Sequence, residues 1–378
     1  MISDRIYLDY NASTPVDPKV VQAMRAAMDD GYGNPSSPHW AAIPAKDTVE
    51  RSRRQVATLL GCRPEEIVFT SGGSEANNLA LKGAFFARPR QRAHLITTQV
   101  EHPSVLSPCA FLERQGARVT YLPVDGTGLL DPDDLRRSIT RETVLISVMH
   151  ANNEVGTIQP IGVCAQIARD HDVPFHTDAA QSVGKIPTRV TELGVNMLSI
   201  AGHKVYAPKG IGALYVRTGI KLEPLIHGAG HEGGKRAGTE SAMLTAALGA
   251  ACGLAGDLAA MAALRRLRDQ FWDALHAKLG DRVVLNGHPE QRLPNTLNVS
   301  FVGRNGAEIL AALDGVAAST GSACHSGHVE LSPVLRAMNI REDVAMGAVR
   351  FSLGRTTTAD EVAKVADRIS AYMAVRQH

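Results

Sequence analysis

From about residue 64 to 217, short apolar runs alternate with longer stretches that carry apolar residues at helical spacing. "EEIVFT", "AHLITTQV", "RVTYLPV" and "TVLISVMHANN" predict strands, each followed by a predicted helix: "SEANNLALKGAFF", "PSVLSPCAFLERQG", "DPDDLRRSI" and "IGVCAQIARDH". Three more β-rich runs come next, "VPFHTDAA", "MLSIAGHK" and "GALYVR". Strands alternating with helices predict βαβ units and a mostly parallel sheet covered on both faces. Ligands of such sheets collect at the C-terminal ends of the strands.

The pattern changes at "SAMLTAALGAACGLAG" (241–256), which predicts a buried helix too short and too rich in small residues to span a bilayer. A long helix at about 261–279, strands "TLNVSFV" and "VRFSLG", and a final helix from Ala359 predict a smaller α+β domain. A chain of 378 residues exceeds what one core usually serves. The expected division is a large domain at 16–250 and a small one made of 1–15 and 251–378, carrying a mobile glycine- and serine-rich loop at about 317–332.

Composition narrows the function. Forty basic against 38 acidic side chains leave a formal charge of +2, which gives no electrostatic reason to expect direct nucleic-acid or membrane binding. The five cysteines are few and scattered and form no CxxC pair, so a reducing, cytoplasmic setting is expected, with no disulfide framework and no structural metal. The start "MISDRIYLDYN" has no apolar core and does not read as a signal peptide.

Polar residues sit at the predicted strand ends. "FTSGGSEANN" offers backbone N–H groups and a hydroxyl at a helix start, a cradle for an anion. "QVEHPSV" brings His102, "HANNEVG" Asn152 and Asn153, "FHTDAAQS" Asp178 and Gln181, and "SIAGHKVYAPKG" Lys204. Each alone has an ordinary reading as a turn, cap or surface residue. Together, an anion cradle, an aromatic base, an acid and a lysine along one sheet edge match what pyridoxal phosphate needs. A lysine forms the Schiff base and an aspartate pairs with the pyridine nitrogen.

With "YLDYNAST", "GNPSSPH", "HANNEVGTI", "GHKVYAPKGIGALYVR", "RAGTES", "STGSACHSG" and "VRFSLGRTTT" in order, the chain resembles the cysteine desulfurases over nearly its whole length. These are class-V aminotransferase-like enzymes of the pyridoxal phosphate aspartate-aminotransferase fold (fold type I, α/β). The cysteine segment is similar to that of the nitrogenase-maturation and housekeeping type. The resemblance implies that L-cysteine is converted to L-alanine, with sulfur carried as a persulfide on Cys324 to an acceptor protein, as in iron–sulfur cluster assembly. It implies Lys204 as the cofactor lysine, Asp178 on the pyridine nitrogen, Gln181 on the phenolic oxygen and His102 on the ring face. Gly73, Ser74 and His203 would hold the phosphate, joined by Thr239 across a homodimer interface. Arg350, with Asn153 nearby, would clamp the substrate carboxylate.

Two positions depart from the family pattern. Ala201 stands where a phosphate-binding serine is usual, leaving Ser199 or a water to replace it, and Ser74 stands for a threonine. A selenocysteine lyase would share every residue named. An aminotransferase would have no need of Cys324, and a non-enzymatic sulfur-trafficking scaffold no use for Lys204, Asp178 and Arg350. "GAGHEG" at 228–233 matches a dinucleotide fingerprint only formally, because it opens no βαβ unit. "CHSGHVE" has no spacing suited to a closed metal site.

Overall fold

In a computed structural model, residues 5–88, 93–320 and 331–375 are described, with the backbone of residues 324, 325, 328 and 329 between the last two. Seven strands form the central sheet in the order Ile67–Thr70, Gly212–Val216, Met197–Ala201, Phe175–Asp178, Thr143–Ser147, His94–Thr98 and Arg118–Leu122. All run parallel except Gly212–Val216, which is antiparallel to both neighbours. This is the expected mostly parallel sheet, with one inverted strand.

Successive residues feed opposite cores. Ile67 and Phe69 join a cluster that includes Val49, Val56, Leu248 and Cys252 of the helices Ile43–Leu60 and Ala242–Ala255. Val68 joins another cluster with Leu79, Phe85, Val105 and Leu112 of the helices Gly73–Phe86 and Pro103–Arg114. Both faces are thus apolar, which explains why these strands read as continuous hydrophobic runs.

A second sheet orders Ser319–Thr320, Ala348–Ser352, Thr296–Phe301 and Val283–Asn286, all antiparallel. It packs with the helices Ala259–Leu279 and Ala359–Val375 around a separate core that also takes in Ile6 and Leu8. A seam of Val100, Met149 and Val155 against Val334, Leu335 and Met338 joins the two units. We propose the two-domain division expected above with one boundary moved from 250 to about 256, because Ala251, Cys252 and Leu254 pack in the first core.

Among the described residues no single helix is long and apolar enough to cross a membrane.

Candidate active site

The parallel strands end at a common edge, where a cavity of about 550 Å³ opens. Lys204, His102, Asp178 and Gln181 line it, as do Gly73, Ser74 and His203. Asn153 and Arg350 close the same cavity. A groove of similar size, about 520 Å³, lined by Arg51, Arg54 and Arg189, has no acid among its described residues, and its one thiol, Cys252, is kept protonated by burial.

Lys204 lies on the single turn Gly202–Lys204 that leaves the strand Met197–Ala201. Its Nζ donates to the carbonyls of Asn11 at 2.5 Å and Ala12 at 2.8 Å. Burial pushes its pKa down to about 8, the Arg350 charge adds to this, and Asp9 and Asp178 oppose it. A lysine near 8 keeps a neutral fraction at physiological pH, which an ordinary exposed lysine does not.

Asp178 is the last residue of its strand and is buried. Its Oδ1 accepts from Ala180 N at 2.9 Å and its Oδ2 from Asn77 Nδ2 at 2.7 Å. Asn77 Nδ2 also donates to Ser104 Oγ at 2.8 Å, and Ser104 Oγ sits 2.8 Å from His102 Nδ1. One chain of contacts therefore runs from the acid to the histidine. His102 caps the helix Pro103–Arg114, its Nδ1 accepting from Ser104 N at 3.1 Å. A backbone N–H can only donate, so the neutral ring carries its proton on Nε2. Burial lowers the His102 pKa against the pull of Asp178, and Lys204 lowers it further. His203 is pushed down to about 4, by burial and then by Lys204 and Lys209, and is neutral.

The helix Gly73–Phe86 starts at the cavity wall with no side-chain cap among the described residues, which leaves its first-turn N–H groups available to an anion there. The loop before it is pressed against the inverted strand: a Cβ on Gly212 would come within 2.7 Å of Gly72 backbone atoms. Glycine is the residue that permits this approach. Ala201 forms the floor under the helix start, 3.1 Å from where a Gly73 side chain would begin. Ser199 does not replace the missing hydroxyl. Its Oγ lies 2.9 Å from His176 Nε2 in a fully buried pair, and it takes no part in the cavity wall. Pyridoxal phosphate fits these residues: an open helix start for a phosphate, a depressed lysine for an aldehyde, a buried acid for a ring nitrogen, and a histidine face.

Arg350 Nη1 donates to the Asn153 carbonyl at 2.9 Å, and its buried Nε has no partner among the described residues. Asn152, by contrast, spends its amide on the turn, donating to Val100 O and accepting from Glu154 N and Val155 N. Asn11 and Asn77 belong to the site and were not singled out by sequence. Asn11 is fully buried, and its carbonyl accepts from Gln181 Nε2 at 2.9 Å as well as from Lys204.

Two expected residues lie apart. Thr239 is exposed and outside the cavity, although Arg236 in the same segment pairs with Glu75 at 3.0 Å in the first turn of the helix Gly73–Phe86. The Cys324 side chain lies outside the described residues. Its backbone forms the strand Cys324–His325, antiparallel to His328–Val329. The flanks of this segment are anchored: Ser319 and Thr320 pair with Arg350 and Val349, and Ser332 Oγ donates to Glu154 Oε2 at 2.5 Å. Among the described residues no group of three or more His, Cys, Asp or Glu side chains is placed to hold a metal ion.

The model of the class-V aminotransferases matches residues 6–365. A protein of Dictyoglomus turgidum named cysteine desulfurase IscS is 47% identical over 94% of this chain and 91% of its own length. A solved NifS-like protein superposes with a TM-score of 0.92 at 35% identity, covering 98% of this chain and 100% of its own. A structure described as SspA in complex with cysteine superposes with a TM-score of 0.84 at 39% identity, over 93% of this chain and 100% of that one.

Proposed function

Because the chain belongs to the class-V aminotransferase family, we propose that its cleft is that of a pyridoxal phosphate-dependent cysteine desulfurase, converting L-cysteine to L-alanine. The observation that carries this is the meeting of Lys204, Asp178, His102 and the uncapped helix start at Gly73 around one cavity that also holds Arg350.

Pyridoxal phosphate would be held by the Lys204 amine and would supply an electron sink for bond breaking at the substrate carbon. Asp178 would keep the ring nitrogen protonated, and its two hydrogen bonds, from Ala180 and Asn77, hold its side chain in one orientation. Gln181 would serve the phenolic oxygen and His102 the ring face. Gly73, Ser74 and His203 would hold the phosphate. Arg350 binds the substrate carboxylate beside Asn153. Lys204, once free, takes the proton from the substrate Cα at Nζ, a role its depressed pKa suits. Cys324 Sγ attacks the substrate sulfur. A sulfur–sulfur bond forms as the substrate Cβ–S bond breaks, its electron pair stays with Cβ, Cβ is then protonated, and the proton held at Lys204 Nζ returns to Cα. Alanine leaves, and Cys324 holds the persulfide for a thiol-bearing acceptor protein.

A homodimer completes the reading. Met28, Tyr32, Trp40 and Ile43 are 56–75% exposed within one short segment, a density of apolar surface that marks an interaction face. Ser36 of that segment lines one groove with Glu240, next to Thr239. A two-fold pairing there brings Thr239 toward the partner's phosphate site. The four described cysteines are unpaired, in keeping with a reducing cytoplasmic setting.

The test is the product set from L-cysteine and cofactor. Alanine should appear together with persulfide on the protein, and light scattering should report a dimer. Release of a keto acid in place of alanine would sink the reading.

A further inference from the structure

We propose that Lys185 is a positioning residue for this reaction, fixing which end of the Gln181 amide faces the cofactor. The inference rests on the proposed cofactor site.

Lys185 is buried, and among the described residues it has no carboxylate partner. Its Nζ donates to Gln181 Oε1 at 2.9 Å and to Asn11 Oδ1 at 3.2 Å. Burying an amine without a counter-charge is costly, so its retention calls for a task. Burial, with the Lys204 and Arg350 charges, pushes its pKa down to about 7, and the neutral amine still has N–H groups for both oxygens.

The task follows from donor and acceptor chemistry. A glutamine amide has one accepting and one donating end, and it can turn over. Here Lys185 donates to Oε1 while the Asn11 carbonyl, which can only accept, takes Nε2, so the NH2 lies on the side away from Lys185. That NH2 donates one proton to the Asn11 carbonyl at 2.9 Å and keeps the second for the cavity Gln181 lines. A flipped amide would lose the Lys185 donation to Oε1 and set its carbonyl against the Asn11 carbonyl and the phenolic oxygen. The same Asn11 carbonyl receives Lys204 Nζ, so Lys185, Gln181, Asn11 and Lys204 form one ordered set.

The experiment reads the pH midpoint of the bound cofactor's colour change in wild type, Lys185→Met, Gln181→Leu and the double variant. A donor on the phenolic oxygen stabilises its negative charge, so losing it should raise the midpoint by about one unit, the worth of one hydrogen bond. Lys185→Met should show that rise, and the double variant should move no further than Gln181→Leu alone. Lys185→Gln, which keeps a donor, should stay near wild type and covers the case in which Lys185→Met fails to fold. An unmoved Lys185→Met, shifts that simply add, or a Lys185→Gln displaced as far as Gln181→Leu would each overturn the inference. A wild type that takes up no colour overturns the cofactor reading as well.

Discussion

Arg350 Nη2 lies 2.8 Å from Asp9 Oδ1, and the same oxygen accepts from Ser319 Oγ at 2.9 Å. Asp9 therefore aims the guanidinium and ties it to the strand that leads toward Cys324. Asp9→Ala should raise KM for cysteine by about 10- to 100-fold, as losing a hydrogen bond to a charged group does, with a smaller effect on kcat. Asp9→Asn keeps an acceptor and should recover most of the loss. Steady-state kinetics decide it, and an unchanged KM in Asp9→Ala would show that Asp9 does not aim Arg350.

The depressed Lys204 pKa sets a pH dependence. Only the neutral amine condenses with an aldehyde, and with a pKa of about 8 that form is lost as pH falls below 8. Colour development after adding pyridoxal phosphate to cofactor-free protein should quicken through about pH 8, below the ordinary lysine range of about 10.4. Lys204→Ala should give neither colour nor alanine. A midpoint near that of free lysine would mean that the buried environment does not act on Lys204.

Burial pushes Cys62, Cys109, Cys164 and Cys252 up to about 12, so all four are protonated and poor nucleophiles at neutral pH. Cys324→Ser should bind the cofactor, yet form no persulfide and almost no alanine, whereas serine at the other four should preserve turnover apart from losses of stability. Mass spectrometry after brief exposure to cysteine locates the added sulfur. Sulfur on any peptide lacking Cys324 would refute the assignment.

Ala201 sits directly beneath the helix start, and Ser199 is committed to His176. Ala201→Ser should therefore tighten cofactor retention about 2- to 10-fold, the worth of one net hydrogen bond. Equilibrium dialysis measures it. Unchanged retention would show that another group already fills the place.

Glu101 is buried, its Oε1 accepting from Thr98 Oγ1 and Met149 N while Oε2 has no partner among the described residues. Burial raises its pKa to about 8, against those two bonds. Between the ordinary carboxylate range and pH 8, the folded state holds a proton that the unfolded state has released, so this group makes stability fall as pH rises through that window. Glu101→Gln should flatten the fall. Melting temperatures from pH 5 to 8 read the difference, and parallel curves for the two proteins would contradict it.

The βαβ alternation is legible because each strand sends Val68-type and Phe69-type positions into different apolar cores, leaving no polar face to confuse the pattern. The inversion of Gly212–Val216 is not legible, since direction leaves no mark in local hydropathy. The helices Pro18–Asp30 and Ile43–Leu60 fall before the segment read for periodicity, though Asp17-Pro18 and the left-handed Gly61 are ordinary start and stop signals. In the site, Lys204, Asp178 and His102 advertise their chemistry by residue type. Asn77 and Asn11 do not. Their meaning lies in partners 101 and 170 residues away, which only the fold supplies.

On the proposed role of Cys324, the strand pairing of Ser319 and Thr320 with Arg350 and Val349 also sets how sulfur transfer scales. Cys324 follows Thr320 by four residues, a leash of at most about 14 Å from the strand that presents Arg350. The thiol is then a reagent supplied at an effective concentration of millimolar or more, whatever the enzyme concentration. Persulfide formation becomes first order in protein and insensitive to dilution. A small thiol in the buffer must itself reach millimolar levels before it intercepts the sulfur.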